Sequence, residues 1–360
     1  MAITCDNTHK RIQPGVFAFS AIYLFVVILI CGRWVYLSDL RFSDATVELI
    51  GAPGDDAPIS VETLFALRAA TAVFCIAILW IIINDEPLLL PVACFKGSGL
   101  PVRPDRPLRF NLSGLHRLYT FTLQSWVLVT IYFVLASCGS ALVASGLKEE
   151  VSAAIGEGLV QCLCFATWLL FETGFTCSLL VTVVVTFVLI PHSIKSGLDF
   201  QKGLRPTALI LHNCNVLFFF TDMLLGQRAM VVNHLPAAVI FGCWYGVFSL
   251  FTLATTGATF YPFLDPTLPP FKQLAMLTTL LLVMVCFFLL GMTSEVVKGS
   301  VGFWIRALVM YAIMVSITYT PLTRTFPVSP GLGKDVNAKV AIPSTRDIDD
   351  TADTKHIKTH

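Results

Sequence analysis

The sequence predicts an all-α fold: a polytopic transmembrane helix bundle of about eight spans, or seven if residues 301–320 do not cross. Three observations carry this prediction. The first is composition. Hydrophobic residues make up 56% of the 360 and charged residues 13%, about half the charged share of an ordinary soluble domain. Too few ionised groups remain to cover a water-facing surface, and the mean hydropathy is +0.77. The second is the recurrence of apolar runs near 20 residues, the length that crosses about 30 Å of hydrocarbon. The third is the distribution of Lys and Arg, which crowd into alternate connections.

The same figures exclude other classes. A balance of 24 Lys and Arg against 23 Asp and Glu leaves a net charge of +1, with no basic footprint for nucleic acid. Eleven cysteines in this length are too sparse for a secreted disulfide scaffold.

Taken in order, the runs fall at 16–36, 63–83, 118–145, 160–190, 205–225, 236–256, 273–292 and 301–320. The first is too long for a signal-peptide core and has no small-residue cleavage site after it, so it is expected to remain as a helix. The fourth exceeds what a span needs, so it tilts or begins outside the membrane. The eighth carries Arg306, and Gly299, Ser300 and Gly302 crowd its start. No internal repeat is visible, which argues against the inverted halves of many transporters.

Lys10 and Arg11 precede the first run, and Lys96, Arg103, Arg106, Arg109 and Arg117 lie between the second and third. Lys195, Lys202 and Arg205 follow the fourth, and Arg324, Lys334, Lys339, Arg346, Lys355 and Lys358 lie in the tail. The intervening connections hold single basic residues, and the first of them is acidic. Basic loops stay cytosolic, so the eight-span arrangement puts both ends in the cytosol. Residues 1–15 are then a cytosolic segment and 16–320 the membrane domain. Residues 321–360 are a polar tail with too few apolar groups to order itself. The sequon Asn111-Leu112-Ser113 lies in a loop assigned to the cytosol and is expected to carry no glycan. Which membrane holds the chain, endomembrane or plasma membrane, is open at this point.

Candidate chemistry rests on polar groups inside apolar runs, where ionisation costs about 2.5–3.5 kcal/mol at mid-membrane. Arg33, Arg68 and Arg306 are expected to snorkel from span ends, and Asp222 to reach the interface. Glu172 falls near the middle of the fourth run, either as a helix-packing carboxyl or as a cavity-lining proton site. His212 lies about 10 Å into the fifth helix, and Asn215 follows at i+3 on the same face. The third helix opens with His116-Arg117-Leu118-Tyr119-Thr120-Phe121-Thr122, placing Thr120 and Thr122 in the same leaflet as His212. The stretch Tyr261-Pro262-Phe263-Leu264-Asp265 joins the sixth and seventh helices on that side, as a rigid turn or an interfacial anchor. The cysteines show no zinc-ligand spacing and read as small packing groups. No metal or cofactor is expected, and the expected partners are membrane lipids.

In order and spacing these segments resemble the androgen-induced membrane proteins, including the rolling-stone-like and plant or protist branches. The resemblance rests on Tyr119-Thr120, Tyr132-Phe133, Leu180 to Pro191, His212-x-x-Asn215 and Tyr261-Pro262-Phe263-Leu264-Asp265, and covers about residues 110–295. It implies an intramembrane threonine hydrolase of lipid esters, such as fatty acid esters of hydroxy fatty acids. Thr120 would be the nucleophile and a histidine the base. The family's histidine is the second of a His-x-x-His pair. That position is Asn215 here, which leaves His212 as the base and Thr122, Asn215, Tyr261, Asp265 and Glu172 as supporting polar groups. Two other readings stand beside it: a non-enzymatic protein of adhesion, fusion or assembly, and a small-molecule or proton transporter using Glu172.

Overall fold

A computed structural model describes residues 14–38, 40, 42–86, 88–91, 109–195, 206–256, 260–261, 264, 268–298 and 300–318. The terminal segments, the basic stretch from Lys96 to Arg106 and Asp265 lie outside the described residues.

Without water in the hydrocarbon, each backbone N–H and C=O must find its partner inside the segment, so the apolar runs become helices. They are α1 (Pro14–Leu37), α3 (Val61–Asn84), α4 (Phe121–Ser145), α6 (Glu157–Val184), α8 (Pro206–Leu225), α9 (Leu235–Thr256) and α10 (Pro270–Lys298), with short helices α2 (Val47–Gly51), α5 (Lys148–Ile155), α7 (Ile190–Lys195) and α11 (Phe303–Ile317) between or after them. Helix α6 runs through a π turn, Val185–Leu189, into α7. Seven helical segments are long and apolar enough to cross a membrane, so the chain is an integral multi-pass membrane protein. The fourth span runs unbroken from Glu157 to His192, about 54 Å, and its first residues are exposed beyond the bundle. The eighth apolar run forms only the 15-residue α11, about 22 Å long, which is short of a full crossing.

One strand pair departs from the all-helical expectation. Leu88–Pro91 (β1) and Arg109–Leu112 (β2) pair antiparallel between α3 and α4, with Leu89 opposite Asn111. This connection lies at the end of the bundle where α1 begins, here called the basic end, where the backbone is free to form something other than helix.

Large apolar side chains face outward on the peripheral helices, Phe25 and Ile30 on α1, Trp80 on α3 and Leu282 on α10, where lipid rather than water meets them. Helix α6 is central, touching α4, α8, α9 and α10. Close approach depends on glycine: a Cβ on Gly174 of α6 would stand 2.4 Å from Cζ of Phe219 on α8. Hydroxyls inside the membrane return to their own helix, as Thr167 Oγ1 does to the Leu163 carbonyl at 2.7 Å and Thr176 Oγ1 to the Glu172 carbonyl at 2.8 Å.

The opposite end is closed by the α1–α3 connection, which folds into the bundle. Helix α2 packs so tightly on α4 that a Cβ on Gly51 would lie 2.3 Å from the Gly139 carbonyl oxygen. The α2 carbonyls are taken up by side chains: Arg68 Nη1 donates to Ile50 at 2.7 Å and Ser140 Oγ to Gly51 at 2.9 Å. Arg68 does not snorkel, and Asp222 does not reach the interface. Both are buried, and Arg68 Nε donates to Asp222 Oδ1 at 2.6 Å. Arg228 and the Tyr132 hydroxyl both donate to Asp222 Oδ2. The Arg228 guanidinium lies 5.0 Å from the centroid of Tyr132 and 4.8 Å from that of Phe171, within cation–π range. Arg306 also turns inward from the surface and pairs with Asp56 of the same connection. A guanidinium at this depth is held more cheaply by a carboxylate than by a long reach to water.

Removing one member of such a cluster leaves the others charged and unpaired, which costs about 3–5 kcal/mol. Asp222→Asn is therefore expected to lower thermal stability in detergent strongly, and a combined Arg68→Met, Asp222→Leu, Arg228→Met change, which removes both paired cations with the carboxylate, to lower it less. An unchanged unfolding temperature for Asp222→Asn would contradict this account. The side assigned to β2 is tested separately: Asn111 expressed in eukaryotic cells is expected to show no mobility shift on endoglycosidase treatment, and a shift would invert the orientation.

Candidate functional site

The basic end contains a cavity of about 360 Å³ lined by residues of α3, α4, α8, the π turn and the α9–α10 connection, together with those around the 3-10 turn Gly114–Tyr119. Thr120, Thr122, His212 and Tyr261 all line it. Four of the sequence-predicted groups thus meet, although they come from three separate parts of the chain.

Thr120 sits where the 3-10 turn gives way to α4. It has extended φ/ψ (−85°, 143°) and is the N-cap of α4. Its Oγ1 accepts from the Leu123 amide at 3.4 Å and donates to the Arg117 carbonyl at 3.1 Å. A threonine serves here because its short hydroxyl reaches one of the amides that a helix start leaves unpaired. The Tyr261 hydroxyl oxygen accepts from the Phe121 and Thr122 amides and also meets the Thr122 and Tyr245 side chains. Burial, opposed by these bonds, raises the Tyr261 pKa above its ordinary value. The phenol therefore stays protonated.

His212 lies in the second turn of α8, and its own carbonyl receives Thr182 Oγ1 from α6. Its Nδ1 is buried and has no hydrogen-bond partner among the described residues. A buried ring nitrogen left unsatisfied costs about 1–3 kcal/mol.

Two expected members of the site lie elsewhere. Asn215 is on α8 but turns into the bundle, 2% exposed, where its Oδ1 accepts from the Val216 amide at 2.8 Å. One helical turn was enough to separate it from the cavity. Glu172 belongs to the opposite end. Its Oε2 is 2.7 Å from His234 Nδ1, its Oε1 accepts from the Val231 amide at 2.7 Å, and His234 Nε2 lies 2.8 Å from the Leu40 carbonyl. It lines neither cavity at the basic end and acts as a packing carboxyl that ties α6 to the ends of α1 and α9. Asp265 lies outside the described residues.

Sequence reasoning missed the cavity's charged rim. Arg117, 9% exposed, donates to the Glu86 carbonyl and lies 3.8 Å from Asp85, and all three residues line the cavity. The available signal was Arg117 three residues before Thr120, at the mouth of the same helix.

A second, apolar cleft of about 70 Å³ lies alongside, between α1, α6, α9 and α10. Thr122, Leu189 and Tyr261 line both spaces. The π turn supplies Val185 and Leu189 to the cleft wall, consistent with the frequent use of π bulges at functional sites. The cleft floor includes Gly242 and Gly246 of α9, where a Cβ would lie 2.7 Å from Met284 Sδ and 2.8 Å from Leu24 Cδ1. Polar chemistry and an apolar channel thus share a wall.

Among the described residues no group of three or more His, Cys, Asp or Glu is arranged to hold a metal. Compared with protein-family profiles, curated proteins and solved structures, the chain matches none.

The cap role of Thr120 is separable from any chemistry. Thr120→Val should destabilise the protein by about 1 kcal/mol, while Thr120→Ser should leave thermal stability in detergent nearly unchanged. Equal loss in both variants would show that the cap bond contributes nothing.

Proposed function

We propose that the protein is a membrane-embedded hydrolase of long-chain lipid esters, with Thr120 as nucleophile and His212 as general base. The observation that carries this reading is that Thr120 and His212 line one polar cavity whose wall is shared with an apolar cleft. The resemblance to the androgen-induced membrane proteins points the same way, and fatty acid esters of hydroxy fatty acids are the substrates it implies.

The chemistry follows from the parts. A threonine hydroxyl becomes a useful nucleophile only when a base takes its proton. Here the hydroxyl turns from the Arg117 carbonyl toward the His212 imidazole, which accepts the proton as Oγ1 bonds to the ester carbonyl carbon. The Tyr261 hydroxyl donates to the developing oxyanion, the role that the buried Asn215 does not fill. His212 then returns the proton to the departing alkoxide and the C–O ester bond breaks, leaving an acyl-threonine. Water, deprotonated by His212, attacks that acyl group and releases the fatty acid and the threonine hydroxyl. The first carbons of the acyl chain lie against the apolar cleft during both steps, the rest of the chain stays in the lipid, and the substrate enters from the leaflet on the cytosolic side.

Purified protein in detergent should hydrolyse long-chain esters. Thr120→Ala should abolish the activity, Thr120→Ser should retain part of it, and His212→Ala should lower it about 10²–10⁴-fold. A folded wild-type protein inert toward a panel of such esters, or a Thr120→Ala variant with full activity, would overturn the proposal. In the first case the non-enzymatic reading in adhesion or assembly would replace it, and in the second another nucleophile would.

A further inference from the structure

The opposite end of the bundle contains a third space that the hydrolase reading does not use. It is a cleft of about 250 Å³ between the last turns of α10 and helix α11, with Phe220 and Met223 of α8 among its lining residues. Its origin is geometric. Helix α11 is tied to α8, through the Thr221 and Tyr311 hydroxyls at 2.7 Å, and a gap opens beside α10. The rim side chains, Ile305 and Val309 among them, are more than half exposed. In a membrane such a slot faces hydrocarbon.

One end of the slot is not apolar. Arg306 lines it and is 7% exposed. One Nη is committed to Asp56, but Nε is buried and has no partner among the described residues. The Thr293 and Ser294 hydroxyls in the lining already donate to the carbonyls of Leu290 and Gly291, so they place no acceptor demand on the slot. The guanidinium stands in the first turns of α11, whose N-cap Gly302 offers no side-chain acceptor. The arginine thus puts a cationic side chain at one end of an otherwise apolar slot, beside the positive end of the α11 dipole.

We propose that this cleft binds a single lipid, with its acyl chain between α10 and α11 and its acidic head on Arg306. The chemistry recognised is an oxyanion at the end of a hydrocarbon chain, either the phosphate of a phospholipid or the carboxylate of a fatty acid. Asp56 takes one Nη of Arg306 and leaves Nε without a partner among the described residues. The site is independent of the Thr120 cavity, so it stands or falls without reference to ester hydrolysis.

The test uses the full chain purified in a non-ionic detergent and three probes with a photoactivatable group on the acyl chain: a phosphatidic acid, a fatty acid and a diacylglycerol. Labelling is mapped by peptide mass spectrometry to residues 290–313. At least one acidic probe should label this stretch about tenfold more than the neutral diacylglycerol, the difference expected when a hydrogen bond to a charged group is lost. Arg306→Gln should reduce the acidic probes to the diacylglycerol level. Asp56→Asn should keep the labelling, because Nε remains in place. Ile313→Trp should block the slot and lower labelling by every probe. Preference for the phosphatidic acid or for the fatty acid identifies the source of the oxyanion, and either supports the site. Equal labelling by the diacylglycerol, or loss in Asp56→Asn as complete as in Arg306→Gln, overturns it. Should Arg306→Gln fail to fold, the probe preference together with Asp56→Asn and Ile313→Trp still decides.

Discussion

The closed end of this bundle depends on Asp222. A single carboxylate on α8 receives Arg68 from α3, Tyr132 from α4 and Arg228 from the turn before α9. Each donor would be costly alone in hydrocarbon, and together they converge on one acceptor set. The same arginine also takes the Ile50 carbonyl, so a short, irregular connection is held inside the bundle rather than out in water. Backbone that is not part of a spanning helix survives at this depth only where protein satisfies it. The Asp222 cluster and the Ser140–Gly51 bond provide that satisfaction. A strand-like bridge between Pro53 and Gly226 and the bond from the Gly54 amide to the Leu225 carbonyl at 2.8 Å complete the seal.

The two ends of the molecule are built on opposite principles. At the sealed end charged groups are paired with one another, Glu172 with His234, Lys148 with Glu48 at 2.7 Å and Arg306 with Asp56, although Arg68 Nη2, Arg228 Nε and Arg306 Nε keep no partner among the described residues. At the basic end polar groups line a space and are only partly matched. Thr120 is satisfied by its own helix start, Tyr261 sits on the amides of the same start, and His212 keeps a buried nitrogen unpaired. A rigid sealed end holds the helices in register, and that register presents side chains from separate helices to one cavity at the other end. The shared wall of Thr122, Leu189 and Tyr261 joins this polar space to an apolar one. Such a junction suits a substrate with a polar bond and a long chain.

Membrane-spanning helices were legible in the sequence because apolar length is a local property, and each run forms its own hydrogen bonds. The excess length of the fourth span was legible for the same reason. The convergence of Thr120, Thr122, His212 and Tyr261 was also legible, since alternation of basic loops places them at one depth on one side. Asn215 was misread. A shared helix face in projection spans enough angle that one residue meets a cavity and the other a neighbouring helix. Arg68 and Asp222 were misread in a different way. Position in a run gives depth but says nothing of which distant charge stands opposite.

What the sequence by itself determined is the class of the protein and the order of its long helices, because both follow from composition and periodicity along one chain; that the eighth apolar run forms only a 15-residue helix came from the structure. What only the tertiary structure decided is the pairing of charges between helices 154 residues apart, as in Arg68 and Asp222, and which polar groups remain unmatched beside a cavity. Pairing depends on helix rotation and close approach, set by contacts such as Gly51 on Gly139 and Gly174 on Phe219. Those contacts arise between segments, and no local pattern encodes them.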